Sequence, residues 1–182
     1  MLPVAVDAGL PVLVITYRND EGAPEDPSEF YQYGSTEWED LDAAVQYALN
    51  QGAKDVLLVG YSMGGGIVAS FLYESSLADK VAGAILDSPM LDLGATVDLG
   101  AQNRNLPGFL TGIAKTISTL RFGIDWNALD YLSRADTISA PVLLFHGGAD
   151  EKVPVSTSEA LAERRLDIVT YVFVEEARHV GA

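Results

Sequence analysis

The chain has 182 residues, 48% of them hydrophobic and 20% charged, with no Cys and a formal net charge of −15. That length and balance make one globular domain with its own core, and the absence of thiols excludes disulfides, thiolate nucleophiles and zinc-thiolate sites. The negative charge repels phosphate backbones and anionic headgroups, and the 11 Lys and Arg are scattered singly, so nucleic acid is excluded as a partner.

The first residues, Leu2-Pro3-Val4-Ala5-Val6, are too short an apolar run for a signal peptide and have no positive flank. No stretch approaches the roughly 20 apolar residues of a membrane span. A soluble, cytoplasmic protein is the expectation. Val12 to Tyr17 is apolar and β-branched and predicts a first strand, followed by a Pro-, Asp-, Glu- and Gly-rich loop over Asn19 to Tyr33. Thr36 to Asn50 reads as a helix with Trp38, Leu41, Val45, Ala48 and Leu49 on one face. Thr36 and Glu39 form a candidate capping box, and Gly52 is a stop.

Val56 to Gly60 predicts a second strand, and a helix begins after Ser62 and runs through Ile67, Val68, Phe71 and Leu72. Strands follow at Val81 to Leu86, Val142 to Phe145 and Thr170 to Val174, with a helix near Ser156 to Arg165 between the last two. The runs are nearly continuous rather than alternating, as in strands buried on both faces of a parallel sheet. The fold class is therefore α/β, a mostly parallel central sheet flanked by helices with right-handed crossovers. Residues 1–182 form one domain, and the long glycine-broken interval from Met90 to Ser139 predicts a short helical insertion or lid at about 90–139.

The strongest chemical signal is Gly60-Tyr61-Ser62-Met63-Gly64, a G-x-S-x-G pattern directly after a buried strand and directly before a helix. A sharp turn there strains the serine and lifts it out of the backbone, while the helix N-terminus and the Met63 N–H face a developing oxyanion. Gly64-Gly65-Gly66 is no phosphate cradle, since no G-K-[ST] follows and G-x-G-x-x-G is not matched. A serine nucleophile needs a base, and the chain has two histidines, His146 at a strand end and His179 beyond the last strand.

These residues resemble the α/β-hydrolase superfamily, in its small-esterase, monoacylglycerol-lipase-like and serine-aminopeptidase-like branch. Gly60-Tyr61-Ser62-Met63-Gly64-Gly65 is similar to that branch's nucleophile elbow. Ala140-Pro141-Val142-Leu143-Leu144-Phe145-His146-Gly147, with Asp150 and Val153-Pro154, is similar to its acid-bearing strand, and Asp130-Tyr131-Leu132 before it is also typical. The resemblance implies the chain order Ser, acid, His, and so Ser62 as nucleophile, His179 as base and Asp150 as orienting acid, with Asp87 as the alternative acid. His146 is then left to hold its loop by hydrogen bonds.

The same resemblance implies hydrolysis of a small-molecule ester through an acyl-enzyme, with no cofactor. A peptidase or amidase on the same triad, and a weakly active or non-catalytic scaffold, are the alternatives. Measured against the family, the chain lacks N-terminal strands and a C-terminal helix, so the expected fold is shortened at both ends. A gap between the strands at Val12 to Tyr17 and Val56 to Gly60 is the expected result, filled by a homo-oligomer or swapped dimer. The second oxyanion donor is then sought near Thr16 to Asn19.

Overall fold

Four apolar runs meet as one sheet in a computed structural model that describes residues 2–181. The strands are β1 (Val56–Tyr61), β2 (Val81–Asp87), β3 (Val142–Gly147) and β4 (Val169–Val174), all parallel and in the spatial order β1-β2-β3-β4. Parallel neighbours require crossovers, and helices supply them. The helices in chain order are α1 (Leu2–Asp7), α2 (Trp38–Asn50), α3 (Met63–Glu74), α4 (Leu93–Gln102), α5 (Gly108–Phe122) and α6 (Val155–Arg164). α3 joins β1 to β2, α4 and α5 lie between β2 and β3, and α6 joins β3 to β4.

The core sits where these layers meet. Val45 of α2, Val68 and Phe71 of α3, Ala84 and Leu86 of β2, Val142 and Leu144 of β3 and Leu161 of α6 are all buried in it. The expected α2 face is present, with Trp38, Leu41 and Leu49 packed against that cluster. α3 buries every residue from Gly65 to Leu72, as a helix does when it is apolar all round. Among the described residues no helix is long and apolar enough to cross a membrane.

Two expectations are corrected. Val12 to Tyr17 forms no strand: it lies outside the sheet, with Leu10, Val12, Leu13 and Val14 exposed. β propensity becomes a strand only when a neighbour's backbone groups complete the ladder, and this segment does not pair with β1. β1 is therefore an edge of the sheet, with Leu57 53% and Val59 43% exposed. Thr36 does not cap α2 either, because the helix starts two residues later, at Trp38. Glu39 turns to Arg18 at 2.9 Å, and the Glu37 carboxylate instead accepts the backbone N–H groups of Gln32 at 2.6 Å and Gly34 at 2.7 Å. Arg18 also bonds Asp40 at 2.9 Å, so the loop over residues 19–33 is tied to the start of α2.

The interval between β2 and β3 carries α4 and α5. Asp92 caps α4 by accepting the Ala95 N–H at 2.9 Å, and Gly123, in the left-handed conformation at φ 71°, ends α5. α5 is turned with its polar side inward. Thr111 is buried and Lys115 and Ser118 are half-buried, while Phe109, Ile113, Ile117 and Leu120 face outward.

Candidate active site

Every candidate residue stands at or beyond the carboxyl end of a strand. β1 ends at Tyr61, and Ser62 follows at φ 50°, ψ −118°, before α3 begins at Met63. This left-handed backbone is uncommon for a residue with a side chain and marks the sharp turn that raises the Ser62 hydroxyl. The surrounding glycines are close-packed, though not in the way the motif alone implies. A Cβ on Gly60 would stand 2.6 Å from the Gly64 carbonyl oxygen, and one on Gly65 would lie 2.8 Å from Pro89 Cα. A Cβ on Gly64 would meet only the Tyr17 hydroxyl, at 3.4 Å. Gly65→Ala is therefore expected to destabilise the protein by about 1–3 kcal/mol, while Gly64→Ala stays within about 0.5 kcal/mol apart from local helix effects. Urea unfolding of the two variants checks this.

His179 lies five residues after β4, in the irregular turn that follows Val174. Its Nε2 is 2.9 Å from Ser62 Oγ and its Nδ1 is 2.8 Å from Asp150 Oδ2. Two loops are zipped together to bring this about. Gly148 N–H donates to Val174 O and Ala149 N–H to Ala177 O, both at 2.9 Å. A Cβ on Gly147 would collide with the Ala177 carbonyl, and one on Gly148 would stand 2.6 Å from Glu175 O. The Gly147-Gly148 pair thus lets the histidine loop lie directly on the acid loop.

Asp150 has no exposed side-chain surface. Its Oδ1 accepts the backbone N–H groups of Lys152 at 2.8 Å and Val153 at 3.0 Å. Burial pushes the carboxyl pKa up, but the hydrogen bonds from His179, Val153 and Lys152 outweigh it and hold the pKa below the ordinary aspartate value. The imidazole is thereby given an ionised acceptor at Nδ1, which favours the tautomer that leaves Nε2 free to accept from Ser62.

His146 is fully buried in the same loop. Its Nε2 faces the Val153 carbonyl at 3.3 Å and Asp150 Oδ2 at 3.2 Å, and its Nδ1 faces Ser158 Oγ at 2.7 Å. With two acceptors at Nε2 the neutral ring carries its proton there and accepts from the Ser158 hydroxyl at Nδ1. Burial lowers its pKa, with the Asp150 charge opposing. A group lowered in the folded state lends stability that is present above its unfolded pKa, about 6.5 for His, and lost as pH falls toward the folded value. The melting temperature is expected to fall as pH drops below about 6.5, less steeply in His146→Gln than in the parent. Melting curves of the two proteins at matched pH test this, since contributions common to both cancel.

The structure does not bring Asp87 to His179. Asp87 is 3% exposed, and its carboxylate accepts from the Ser88 hydroxyl at 3.2 Å and the Gly181 N–H at 3.0 Å. Near the elbow, the backbone N–H groups of Tyr17, Arg18 and Asn19 are already taken, by Asp20, Asp40 and Pro24. The Tyr17 hydroxyl is the polar group of that stretch that reaches Gly64. Met63 is the first residue of α3, where a helix leaves its N–H without an intrahelical acceptor. Between α4 and α5 lies a cavity of about 450 Å³ lined by Val97, Ala101, Arg104, Leu106, Leu110 and Ala114, and it shares no residue with Ser62, Asp150 or His179. Among the described residues no group of three or more His, Asp or Glu side chains is disposed to hold a metal.

The sequence matches the family described as "Alpha/beta hydrolase family" over residues 2–179. Its backbone is similar to that of an esterase from Pyrococcus furiosus, with a TM-score of 0.61 and 24% identity over 84% of this chain. The chain spans 56% of the length of that esterase. A monoacylglycerol lipase from Paleococcus ferrophilus gives a TM-score of 0.69 at 19% identity, covering 98% of this chain and 78% of its own. A puromycin-hydrolysing peptidase from Mycobacterium tuberculosis gives 0.59 at 24%, covering 81% of this chain and 22% of its own. At these identities the likeness is one of fold. No curated protein matches the chain.

Proposed function

Because the chain belongs to the alpha/beta hydrolase family, we propose that it is a serine hydrolase that cleaves small carboxylic esters through an acyl-enzyme. The reading is supported above all by the unbroken line from Asp150 Oδ2 to His179 Nδ1 at 2.8 Å and from His179 Nε2 to Ser62 Oγ at 2.9 Å. In it Ser62 Oγ attacks the ester carbonyl while His179 Nε2 takes the hydroxyl proton and returns it to the departing alcohol. Asp150 fixes the ring and balances the imidazolium. The Met63 N–H and the positive end of α3 stabilise the oxyanion, and water then releases the acid by the reverse use of His179.

Treatment of the protein with a fluorophosphonate probe tests this. One adduct per chain, mapped by mass spectrometry to Ser62 and lost in His179→Ala, is expected. A folded protein that takes up no probe at Ser62 overturns the reading. Turnover of a p-nitrophenyl ester against an aminoacyl p-nitroanilide then separates esterase from peptidase chemistry, with the ester expected to be preferred.

The proposal extends to the partner. The outer edge of β1 is unpaired, and the apolar segment around Val12 to Thr16 makes no backbone hydrogen bond among the described residues. Each lacks what the other type of element supplies, which favours a second copy of the chain pairing across β1. Light scattering behind size-exclusion chromatography is expected to give the dimer mass, and a monodisperse monomer removes this part of the proposal.

A further inference from the structure

Asp87 and Ser88 take no part in the chemistry just described, yet both are buried at its edge, 3% and 0% exposed. Asp87 ends β2 in register with Tyr61, the residue before the nucleophile. Its carbonyl accepts the Ser62 N–H at 3.1 Å, and its carboxylate Oδ2 accepts the Gly181 N–H at 3.0 Å. Ser88 is itself in the left-handed region, at φ 49°. Its N–H donates to Phe145 O at 3.0 Å, its hydroxyl donates to Asp87, and its Oγ accepts the Val180 N–H at 3.3 Å. The two residues after His179 are thus held by two adjacent side chains at the carboxyl end of β2.

The local backbone shows that this hold works against resistance. Val180 has φ 58° and Gly181 φ 138°, and a β-branched residue in the left-handed region is an outlier that surrounding bonds must enforce. The turn that follows β4 has no regular structure to do so. Asp87 also has no cationic partner among the described residues. A buried carboxylate without one is costly, and its protein partners are the Ser88 hydroxyl and a single N–H of the histidine segment.

We propose that Asp87 and Ser88 are positioning residues for His179, Asp87 bracing the nucleophile through its carbonyl and both anchoring the chain beyond the base through their side chains. The inference rests on the reading of Ser62 and His179 as nucleophile and base. On the Ala149 side the histidine loop is tied by Ala177, and on the far side by this pair. A base restrained on both flanks keeps its Nε2 at hydrogen-bond distance from Ser62. One restrained on one flank moves with the turn, and a displacement of about 1 Å is enough to cost a rate factor on the order of 100.

The test compares Asp87→Ala, Asp87→Asn and Ser88→Ala with the parent. The last keeps a Cβ at φ 49° and removes only the hydroxyl that accepts the Val180 N–H. Asp87→Ala and Ser88→Ala are expected to lower kcat for a p-nitrophenyl ester by about 10- to 100-fold per Ser62 labelled by fluorophosphonate at completion, with KM nearly unchanged. Asp87→Asn keeps a carbonyl acceptor and is expected to recover most of that loss. A merely structural role would lower the melting temperature and the labelled fraction but leave kcat per labelled site at the parental value, and that result overturns the proposal. So does an Asn variant as impaired as the Ala variant. Amide hydrogen exchange at Val180 and Gly181 reads the anchor without any catalysis. Protection present in the parent and lost in Asp87→Ala supports it even if Ser62 proves unreactive, and equal exchange in both proteins sinks it.

Discussion

Ser62→Ala is expected to lower kcat on a p-nitrophenyl ester by about 10⁶-fold, the scale of losing the nucleophile of a triad, while leaving the fold intact. The alanine keeps the elbow's backbone bonds, since Ser62 N–H to Asp87 O and Met90 N–H to Ser62 O do not involve the hydroxyl. It also keeps a Cβ at φ 50°, so the strain of the turn is the same in both proteins. The melting temperature should therefore move by only a few degrees, and probe labelling should vanish. Steady-state rates and mass spectrometry on the same preparation check both halves. A variant that keeps more than about 1% of the activity would mean that water, not Ser62, attacks the carbonyl.

Asp150→Asn is expected to cost about 10⁴ in kcat, the effect of presenting the histidine with the wrong tautomer. In the parent, Oδ2 accepts from His179 Nδ1 at 2.8 Å while Oδ1 accepts two backbone N–H groups. Those two donors fix which end of an asparagine amide faces them: the carbonyl. The amide nitrogen must then face His179 Nδ1 and donate to it, which moves the ring proton to Nε2 and removes the acceptor that Ser62 needs. The same nitrogen meets His146 Nε2, 3.2 Å from Oδ2 in the parent, so His146 is forced to change tautomer as well. Loss of activity with slow but complete probe labelling is expected. An Asn variant within tenfold of the parent would show that Asp150 does not set the tautomer.

The elements that needed only local information were legible in the sequence. β1, β2, β3 and β4 appear where continuous apolar runs stand, and the elbow at Ser62 announces itself because strand, turn and helix are consecutive. Val12 to Tyr17 has the same composition as the true strands, and what it lacks is a neighbour, a property of the whole sheet that no window of sequence holds. Thr36 failed as a cap for a smaller reason: Glu37 is drawn to the N–H groups of Gln32 and Gly34, which delays the start of α2. The order of residues placed Ser62, Asp150 and His179 as candidates, but not the contacts that bind His146 to Ser158 or Val180 to Ser88. Those contacts join segments whose residue types, serine and aspartate at strand ends, read equally well as turn formers. Gly147-Gly148 was the one visible hint that another backbone lies on the acid loop.

The strands stand side by side in the order in which they occur along the chain, and the loop after each carries one residue of the proposed site or its anchor: Ser62 after β1, Ser88 after β2, Asp150 after β3 and His179 after β4. Each strand can therefore dock on the one made just before it, across closures that are short except for the long helical one from β2 to β3. The contact between Ser62 and His179 spans 117 residues and waits for the last of these docking steps. On the proposed reading, reactivity at Ser62 is in this way a gauge of complete assembly, since it requires the first and the last strand to stand in one sheet.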